Sequence, residues 1–426
     1  MKTDKYRPRV ADGVLARKLK GKGAVLIEGA KWCGKTTTAE QIAQSVLYMS
    51  ETGRTEQNIQ LAKINPKFLL KGDNPRLIDE WQLAPELWDA IRWEVDHAGR
   101  LGLFILTGSA VPADMSNVYH TGTGRFAWLK MRPMSLWESG DSTGEVSLSA
   151  LFEGAESVEG MCQNDLNRTA FLVCRGGWPQ AVDMDDDIAL DQSFDYLEAV
   201  EKRDIEMADG VSRDPVMVHR ILRSYARLQG AQASLGTIRA DTLTNEADTL
   251  TEETIGQYIK ALKNIYVIED MLAWNPNLRS KTAIRTSDTR YFTDPSIASA
   301  ELGVGPADLI NDLDTFGLLF ETLCMRDLRV FAEALNGNVY HYRDKNGLEC
   351  DAVVHLRDGR YGLIEVKLGG DNLIDAGAQT LKKLADKIDT DKMKSPSFLM
   401  VLTATGPYAY KREDGVLVVP IGCLKD

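Results

Sequence analysis

A glycine-rich segment of eight residues near the start of the chain constrains its fold more than any other feature. Residues 29–36 read GAKWCGKT and fit the pattern G-x-x-x-x-G-K-[ST]. An apolar segment, Ala24 to Ile27, precedes this loop, and an amphipathic segment through Met49 follows it. The order strand, loop, helix predicts a parallel α/β sheet in which loop N–H groups and a helix N-terminus bind phosphate.

The loop supplies most of the residues that we expect to bind a nucleotide. We expect Lys35 to reach the β- and γ-phosphates and the Thr36 hydroxyl to hold Mg²⁺. The sequence contains no guanine-reading N-K-x-D motif, which favours ATP as the nucleotide. The expected nucleotide-binding residues of this segment are Gly29, Ala30, Lys31, Trp32, Cys33, Gly34, Lys35, Thr36 and Thr37.

Three further segments continue the pattern of an ATPase. "PRLIDEWQ" reads as a strand ending in Asp79, expected in the Mg²⁺ shell, and Glu80, expected to polarise the attacking water. "GLFILTGSA" reads as another strand, after which Ser109 either contacts the nucleotide or caps the next helix. Arg125 follows a glycine-rich turn and is either an arginine finger, within the chain or towards a neighbouring subunit, or a surface arginine.

The order of these motifs resembles a prokaryotic family of AAA-like ATPases over nearly the whole chain. The other matching motifs are "GGWP", "YFTDPSIA" and "YRDKNGLECD" followed by "IEVK". Trp81 departs from the family, which usually has an aliphatic residue there, and we expect the change to alter packing rather than chemistry. The resemblance implies a P-loop core at 1–145, a helical connector at 146–210, a winged-helix-like domain at 211–305 and a C-terminal domain of uncharacterised function at 306–426.

The middle of the chain gives a weaker indication of function. Residues 164–229 have helical periodicity, and helix, helix and β-ribbon follow, which is the outline of a winged helix. The expected recognition helix mixes Gln257 and Lys260 with Glu252 and Glu253, so a packing or protein-interaction role is favoured over DNA reading. The locally basic stretch 274–290 is the best candidate there for a phosphate contact.

The last third predicts the element order α-β-β-β-α-β, which resembles the core of restriction-endonuclease-like, or PD-(D/E)XK, nucleases. The matching residues are Asp351 and the Glu-x-Lys pair Glu365 and Lys367, with Glu321 on the preceding helix as a further acid. Carboxylates in this arrangement would hold Mg²⁺ against a scissile phosphate, and the lysine would position the nucleophile. The alternative is a salt-bridge cluster on the face of a hairpin, without catalysis.

The two interpretations depend on the strand register. A two-residue turn at Asp358 and Gly359 would pair Asp351 with Val366 and place it on the face away from Glu365. A three-residue loop, 357–359, would place Asp351 directly opposite Glu365. Glycine at the third loop position is what the second turn prefers, so we expect the second register.

Composition narrows the class of protein. A formal charge of −12 argues against a protein that coats nucleic acid by bulk electrostatics, so any nucleic-acid contact should be local. The six cysteines form no Cys-x-x-Cys pair, and no apolar run is long enough to span a bilayer, so we expect a cytoplasmic protein without membrane contact.

The leading hypothesis is an Mg²⁺-dependent ATPase that controls a nuclease-like domain acting on DNA or RNA. The alternative is an ATP-driven switch whose inactive C-terminal domain binds a protein partner, and either protein could form homo-oligomers.

Overall fold

A computed structural model describes residues 6–110, 121–155, 158–243, 250–279 and 282–426. The chain divides into two compact units. The first comprises Met1–Pro133, Ala199–Pro215 and Ile259–Val267, and the second comprises Met134–Glu198, Val216–Tyr258 and Ile268–Asp426. The four domain boundaries expected from the sequence stay a prediction. Among the described helices, none has the length and apolar character needed to cross a membrane.

The first unit contains a five-stranded sheet in which every neighbouring pair is parallel. Its strands are β1 Ala24–Glu28, β2 Ser45–Tyr48, β3 Arg76–Asp79, β4 Phe104–Gly108 and β5 Phe126–Lys130. The spatial order is β2-β3-β4-β1-β5. The strands β1 and β4 are almost wholly buried, as expected for central strands of a parallel sheet. The predicted α/β fold with a parallel sheet is confirmed.

The segment after the glycine-rich loop differs from the prediction. The first helices are α1 Val10–Gly21, α2 Lys35–Glu40, α3 Thr55–Ile64, α4 Pro66–Leu69 and α5 Leu87–Ala98. The predicted single helix through Met49 is wrong, because α2 ends at Glu40 and residues 45–48 form β2 beside β3. The sequence Ser-Val-Leu-Tyr has β-branched and aromatic residues that favour a strand, and pairing with β3 overrides the helical periodicity.

The middle of the chain is mainly helical, as predicted. Its elements are α6 Leu136–Ser139, β6 Val146–Ser147, α7 Leu148–Phe152, β7 Gly160–Met161, α8 Leu166–Arg175, α9 Asp186–Ala199, a π-helical turn Val200–Asp204, α10 Ile205–Met207, α11 Pro215–Arg227, α12 Leu235–Thr242 and α13 Glu252–Asn264. Antiparallel bridges join Ile268 to Phe292 and Met271 to Thr289. Helices and a β-ribbon therefore occur in the expected order, and the winged-helix interpretation stays a prediction.

The second unit contains a mixed seven-stranded sheet with the order β7-β12-β13-β11-β10-β9-β8. Its C-terminal elements are α14 Pro295–Leu302, α15 Pro306–Asn311, α16 Leu313–Ala334, β8 Gly337–Arg343, β9 Glu349–Leu356, β10 Tyr361–Lys367, α17 Asp371–Lys387, β11 Phe398–Thr403, β12 Tyr408–Lys411, β13 Leu417–Pro420 and β14 Leu424–Lys425. The order α16-β8-β9-β10-α17-β11 confirms the predicted α-β-β-β-α-β core. The sequence reading did not anticipate that β12, β13 and β7 extend the sheet.

Candidate functional site

The glycine-rich loop lies at the carboxyl end of β1, where parallel sheets of this class bind ligands. Gly29 has φ +155°, and a Cβ atom there would lie 2.0 Å from the carbonyl oxygen of Met131. Gly34 has φ +97° and immediately precedes α2. The first glycine permits a close backbone approach and the second a left-handed turn, so both follow from local geometry.

Lys35 is 5% exposed and points back into the loop. Its Nζ donates to the carbonyl oxygens of Gly29, at 2.9 Å, and Ala30, at 2.7 Å. These acceptors are neutral, so an anionic phosphate is a stronger partner for the ammonium than the carbonyls are. The lysine is thus already held at the loop that is expected to bind phosphate.

The two acids at the end of β3 face polar residues of neighbouring elements. Asp79 Oδ1 accepts from Thr36 Oγ1 at 2.6 Å and from Thr107 Oγ1 at 2.7 Å. Glu80 has φ +56°, and Ser109 Oγ donates to its Oε2 at 3.1 Å. Left-handed backbone at a non-glycine residue is costly and concentrates at functional sites. The structure therefore brings together the side chains that the sequence assigned to metal and water, with Ser109 orienting Glu80.

The remaining loop residues differ in exposure. Trp32, with φ +65°, is 50% exposed, and Thr37 is also exposed, whereas Cys33 and Ala30 are buried. Lys31 Nζ forms an ion pair with Asp204 Oδ1 at 2.6 Å. No local pattern indicates this pair, because 173 residues separate its members.

Arg9 contacts the backbone of the glycine-rich loop, and no motif in the sequence predicts this contact. It is 6% exposed, and its guanidinium donates to the carbonyl oxygens of Cys33 and Arg132, each at 2.8 Å. Tyr6 donates to Asp12 Oδ1 at 2.6 Å and lies 3.0 Å from Thr38 Oγ1 on α2. The only sequence signal for these contacts is the basic character of the N-terminal segment.

Arg125 lies at the amino-terminal ends of β1 and β5, whereas the glycine-rich loop lies at the carboxyl end of β1. Its carbonyl oxygen accepts from Ala24 N at the start of β1, whereas the loop follows the end of β1. Its guanidinium pairs with Asp96 at 2.7 Å and is 44% exposed. An arginine finger acting within the same chain is therefore wrong, and an action on a neighbouring subunit stays a prediction.

The hairpin of β9 and β10 has the predicted three-residue loop. Leu356 N donates to Arg360 O at 2.8 Å, and Gly359 has φ +85°. The strand register pairs Tyr361 with His355 and Ile364 with Ala352. Continuing this register by one residue places Asp351 opposite Glu365, so both carboxylates lie on one face of the sheet. The register expected from the sequence is confirmed.

Lys367 connects the two carboxylates of the hairpin. Its Nζ lies 2.7 Å from Glu365 Oε2 and 3.3 Å from Asp351 Oδ2. Asp351 Oδ2 also accepts from the Val366 backbone N–H at 2.7 Å. Helix α17 passes over this cluster at Gly377, where a Cβ would lie 3.4 Å from Glu365 Cβ. Asp351, Glu365 and Lys367 are therefore assembled as the sequence predicts.

Glu321 on α16 adds a third carboxylate to the electrostatics of this cluster. It is partly buried and accepts a hydrogen bond from the Tyr291 hydroxyl. Burial and the nearby Asp351 raise the pKa of Glu321 and of Glu365, each to about 8. Burial opposes the charge of Lys367, but Asp351 and Glu365 raise its pKa, so the ammonium stays charged. Tyr291 was missed as a site residue, although it begins the quoted motif "YFTDPSIA".

The side chains of this cluster carry the type of ligand atom that a hard divalent cation prefers. Glu365 is 4% exposed, and its Oε1 has no hydrogen-bond partner in the described part of the chain. A buried carboxylate oxygen without a partner is costly, and a cation would relieve that cost. Asp351, Glu365 and Glu321 offer only oxygen ligands, which Mg²⁺ and Mn²⁺ prefer. In the first unit, Thr36 and Asp79 offer the corresponding oxygen ligands.

Three family models match separate parts of the chain. Residues 21–139 match an AAA domain, whereas residues 167–308 and 316–424 each match a domain of unknown function, DUF8612 and DUF4143. No curated protein is significantly similar to this chain. The Walker-type ATPase of Pyrococcus abyssi is 17% identical over 70% of this chain and 97% of its own, with a TM-score of 0.43 that is too low to support an argument. The part of the chain that is similar to an AAA domain, residues 21–139, contains the glycine-rich loop, Asp79 and Ser109.

Proposed function

We propose that the chain is an Mg²⁺-dependent ATPase whose nucleotide state controls a second, metal-dependent site that cleaves phosphodiesters in nucleic acid. One observation carries the second half of this proposal. Asp351 and Glu365 are opposed across a hairpin, Lys367 contacts both, and a buried oxygen of Glu365 has no partner among the described residues. A divalent cation and a phosphate oxygen would complete this arrangement of charges.

At the first site, each side chain has a defined part in ATP hydrolysis. Lys35 leaves the loop carbonyls and binds the β- and γ-phosphates, while the loop N–H groups bind the same anion. Thr36 and Asp79 would hold Mg²⁺, which would supply positive charge to screen the phosphates. Glu80, oriented by Ser109, accepts a hydrogen bond from the attacking water and polarises it.

At the second site, the protein holds protons until a cation binds. Burial and the nearby Asp351 raise the pKa of Glu321 and of Glu365, so this cluster takes up protons at a higher pH than isolated carboxyls do. Binding of a cation releases those protons, so cation affinity rises with pH. When bound, the cation would lower the pKa of a water molecule beside the phosphate. Lys367 then positions that water and offsets the charge that develops on phosphorus.

A cleavage assay with matched variants tests this proposal. The purified chain with Mg²⁺ or Mn²⁺ and ATP is expected to cut single- or double-stranded DNA or RNA. Lys367→Ala and Glu365→Gln are expected to abolish cutting and leave ATP turnover within twofold of wild type. Lys35→Ala is expected to abolish ATP turnover. Absence of cutting on all four substrates with either metal ion would overturn the nuclease half.

A second candidate function is an ATP-driven switch whose C-terminal domain binds a protein partner without catalysis. The observation that favours it is the close ion pairing of Lys367 with both carboxylates, which satisfies most of the cluster without a cation. ATP would then act by stabilising one conformation. In this case Lys35→Ala changes partner binding or oligomeric state in light scattering, and Glu365→Gln is silent in every assay.

A further inference from the structure

A pocket of about 580 Å³ opens near the loop of the β9–β10 hairpin, wholly within the second unit. Its lining includes Trp274, Asn275, Asn277, Tyr340, His355 and Lys394. The volume lies within the range of pockets that bind small organic ligands or parts of larger ones. Neither the P-loop nor the carboxylate cluster includes this pocket. Residues 274–277 of the basic stretch 274–290 form part of its wall. Ser280 and Lys281 of that stretch lie outside the described residues.

One wall of the pocket is a group of aromatic rings in fixed mutual contact. The ring of His355 lies 6.4 Å from that of Tyr340 and 6.3 Å from that of Trp274. Trp274 is 6% exposed and packs 5.0 Å from Tyr361, so the wall is anchored in the core of the sheet. Burial lowers the pKa of His355, which keeps its ring neutral at pH 7. Neutral aromatic faces of this kind provide stacking surfaces for nucleobases.

The rim of the pocket is polar and carries positive charge. Asn275 and Asn277 are exposed, and Asn277 is fixed through its carbonyl oxygen, which accepts from Asp389 N at 2.9 Å. Lys394 is exposed, and its Nζ donates to the carbonyl oxygen of Asp358 at 2.9 Å, while the Asp358 carboxylate nearby pairs with Arg360 at 2.7 Å. Asparagine amides hydrogen-bond to base edges, and lysines bind backbone phosphates.

The pocket and the carboxylate cluster lie on the same face of the same strand. Asp351, Val353 and His355 alternate along β9, so their side chains share one face of the sheet. Four residues of an antiparallel strand at about 3.4 Å each separate Asp351 from His355 by roughly 14 Å. Stacked bases also rise about 3.4 Å per nucleotide, so four nucleotides of a single strand would cover the same distance.

We propose that this pocket binds an unpaired base of a single-stranded nucleic acid, with Lys394 on the adjoining phosphate. The inference rests on the proposed function for the class of ligand, and it specifies that the bound strand is unpaired. A base in a duplex has no free face for the aromatic wall, whereas an unstacked base can enter and hydrogen-bond to Asn275 and Asn277.

Fluorescence anisotropy of a labelled single-stranded oligonucleotide, in EDTA so that no cleavage occurs, tests this proposal. Asn275→Ala and Tyr340→Ala are each expected to weaken binding roughly tenfold, through lost base hydrogen bonds and lost stacking. Lys394→Ala should reduce the slope of log affinity against log salt by about one. The matched controls are Asn311→Ala and Lys383→Ala, exposed residues outside the pocket lining, which are expected to bind like wild type.

An oligonucleotide of the same length with abasic sites separates base binding from phosphate binding. Wild type is expected to bind the abasic strand about as weakly as Tyr340→Ala binds the normal strand. Equal wild-type affinity for both strands, or unchanged affinity in both Asn275→Ala and Tyr340→Ala, would overturn the pocket. Because Asn275 is exposed, its variant keeps the test valid if Tyr340→Ala unfolds.

The outcome separates this inference from the proposed function. Weaker binding in the pocket variants without any cleavage by wild type supports the pocket and overturns the nuclease. Cleavage that depends on Glu365, with unchanged binding in the pocket variants, supports the nuclease and overturns the pocket.

Discussion

The P-loop and the carboxylate cluster each contain a buried or partly buried lysine, but they balance charge in opposite ways. Lys35 contacts two neutral carbonyl oxygens, and its surroundings add backbone N–H groups. Lys367 contacts two carboxylates, with a third, Glu321, close enough to influence the pKa of Glu365. The lysine of the first site is therefore held by neutral acceptors and suits an anion, whereas the second site has an excess of acids and suits a cation.

The two lysines therefore have different roles. Lys35 is available to bind an anionic ligand, whereas Lys367 occupies the position next to the acids that a cation would otherwise take. At the P-loop, a phosphate adds the partner that Lys35 lacks. At the cluster, Lys367 already partners the acids, and an entering cation must compete with it or displace the protons of Glu321 and Glu365. The two sites should consequently respond differently to the same kind of mutation.

The largest expected effect concerns the chemistry at the P-loop. Glu80→Gln should lower the kcat of ATP hydrolysis by roughly 10²–10⁴-fold, because the amide cannot accept a proton from water. Nucleotide affinity should stay near wild type, because Lys35 and the loop are intact. Steady-state phosphate release and nucleotide titration measure the two quantities. Glu365→Gln is the matched control, and a Glu80→Gln chain that retains full turnover would refute the assignment.

A second prediction compares the two lysines by stability. Without a metal ion and at a pH above about 8, where Glu365 is ionised, Lys367→Met should lower the free energy of unfolding by about 3–5 kcal/mol, because buried carboxylates lose their counter-charge. Lys35→Met should lower it by less, about 1–2 kcal/mol, because the hydrogen bonds from the ammonium to two carbonyl oxygens are lost but no buried charge is left unpaired. Urea unfolding of both variants measures the difference. Equal losses in the two variants would mean that the charge contrast between the sites is absent.

The contrast also explains why the sequence predicted the two sites with unequal ease. The P-loop is contiguous, so eight neighbouring residues define both the backbone and its ligands. The cluster depends on a strand register, which a single choice between a two- and a three-residue loop decides, and Gly359 indicated the correct choice. Arg9 and Asp204 had no comparable signal, because they reach the loop only through tertiary contacts.

The error after the P-loop has a related physical cause. Residues 45–48 fit a helical pattern when they are read alone, yet they pair with β3 and complete the sheet. A parallel edge strand obtains its stability from a neighbour distant in sequence, which local periodicity does not record. Glu321 was found because its position on a helix before the sheet could be inferred, whereas its partner Tyr291 lies in irregular chain with no periodic pattern.

A third prediction concerns acid stability of the second unit. Burial and Arg343 lower the pKa of His341 to about 4, and its Nε2 has no hydrogen-bond partner in the described residues. Because the unfolded chain binds this proton near the ordinary pKa of about 6.5, stability falls as pH drops from about 6.5 towards 4. The loss attributable to this residue should be about 2–3 kcal/mol. Urea unfolding should show a flatter pH profile for His341→Gln over this window, and identical profiles would contradict the prediction.

The smallest expected effect is that of Arg125→Ala on ATP turnover. Arg125 lies at the amino-terminal ends of the strands, and the P-loop lies at their carboxyl ends. Arg125 also pairs with Asp96, so it cannot touch the nucleotide bound to its own chain. At concentrations where light scattering shows a monomer, Arg125→Ala should hydrolyse ATP within twofold of wild type. A large loss under those conditions would contradict the geometry. If the arginine acts on a neighbouring subunit, wild-type turnover per chain rises with protein concentration and the Arg125→Ala variant lacks that rise.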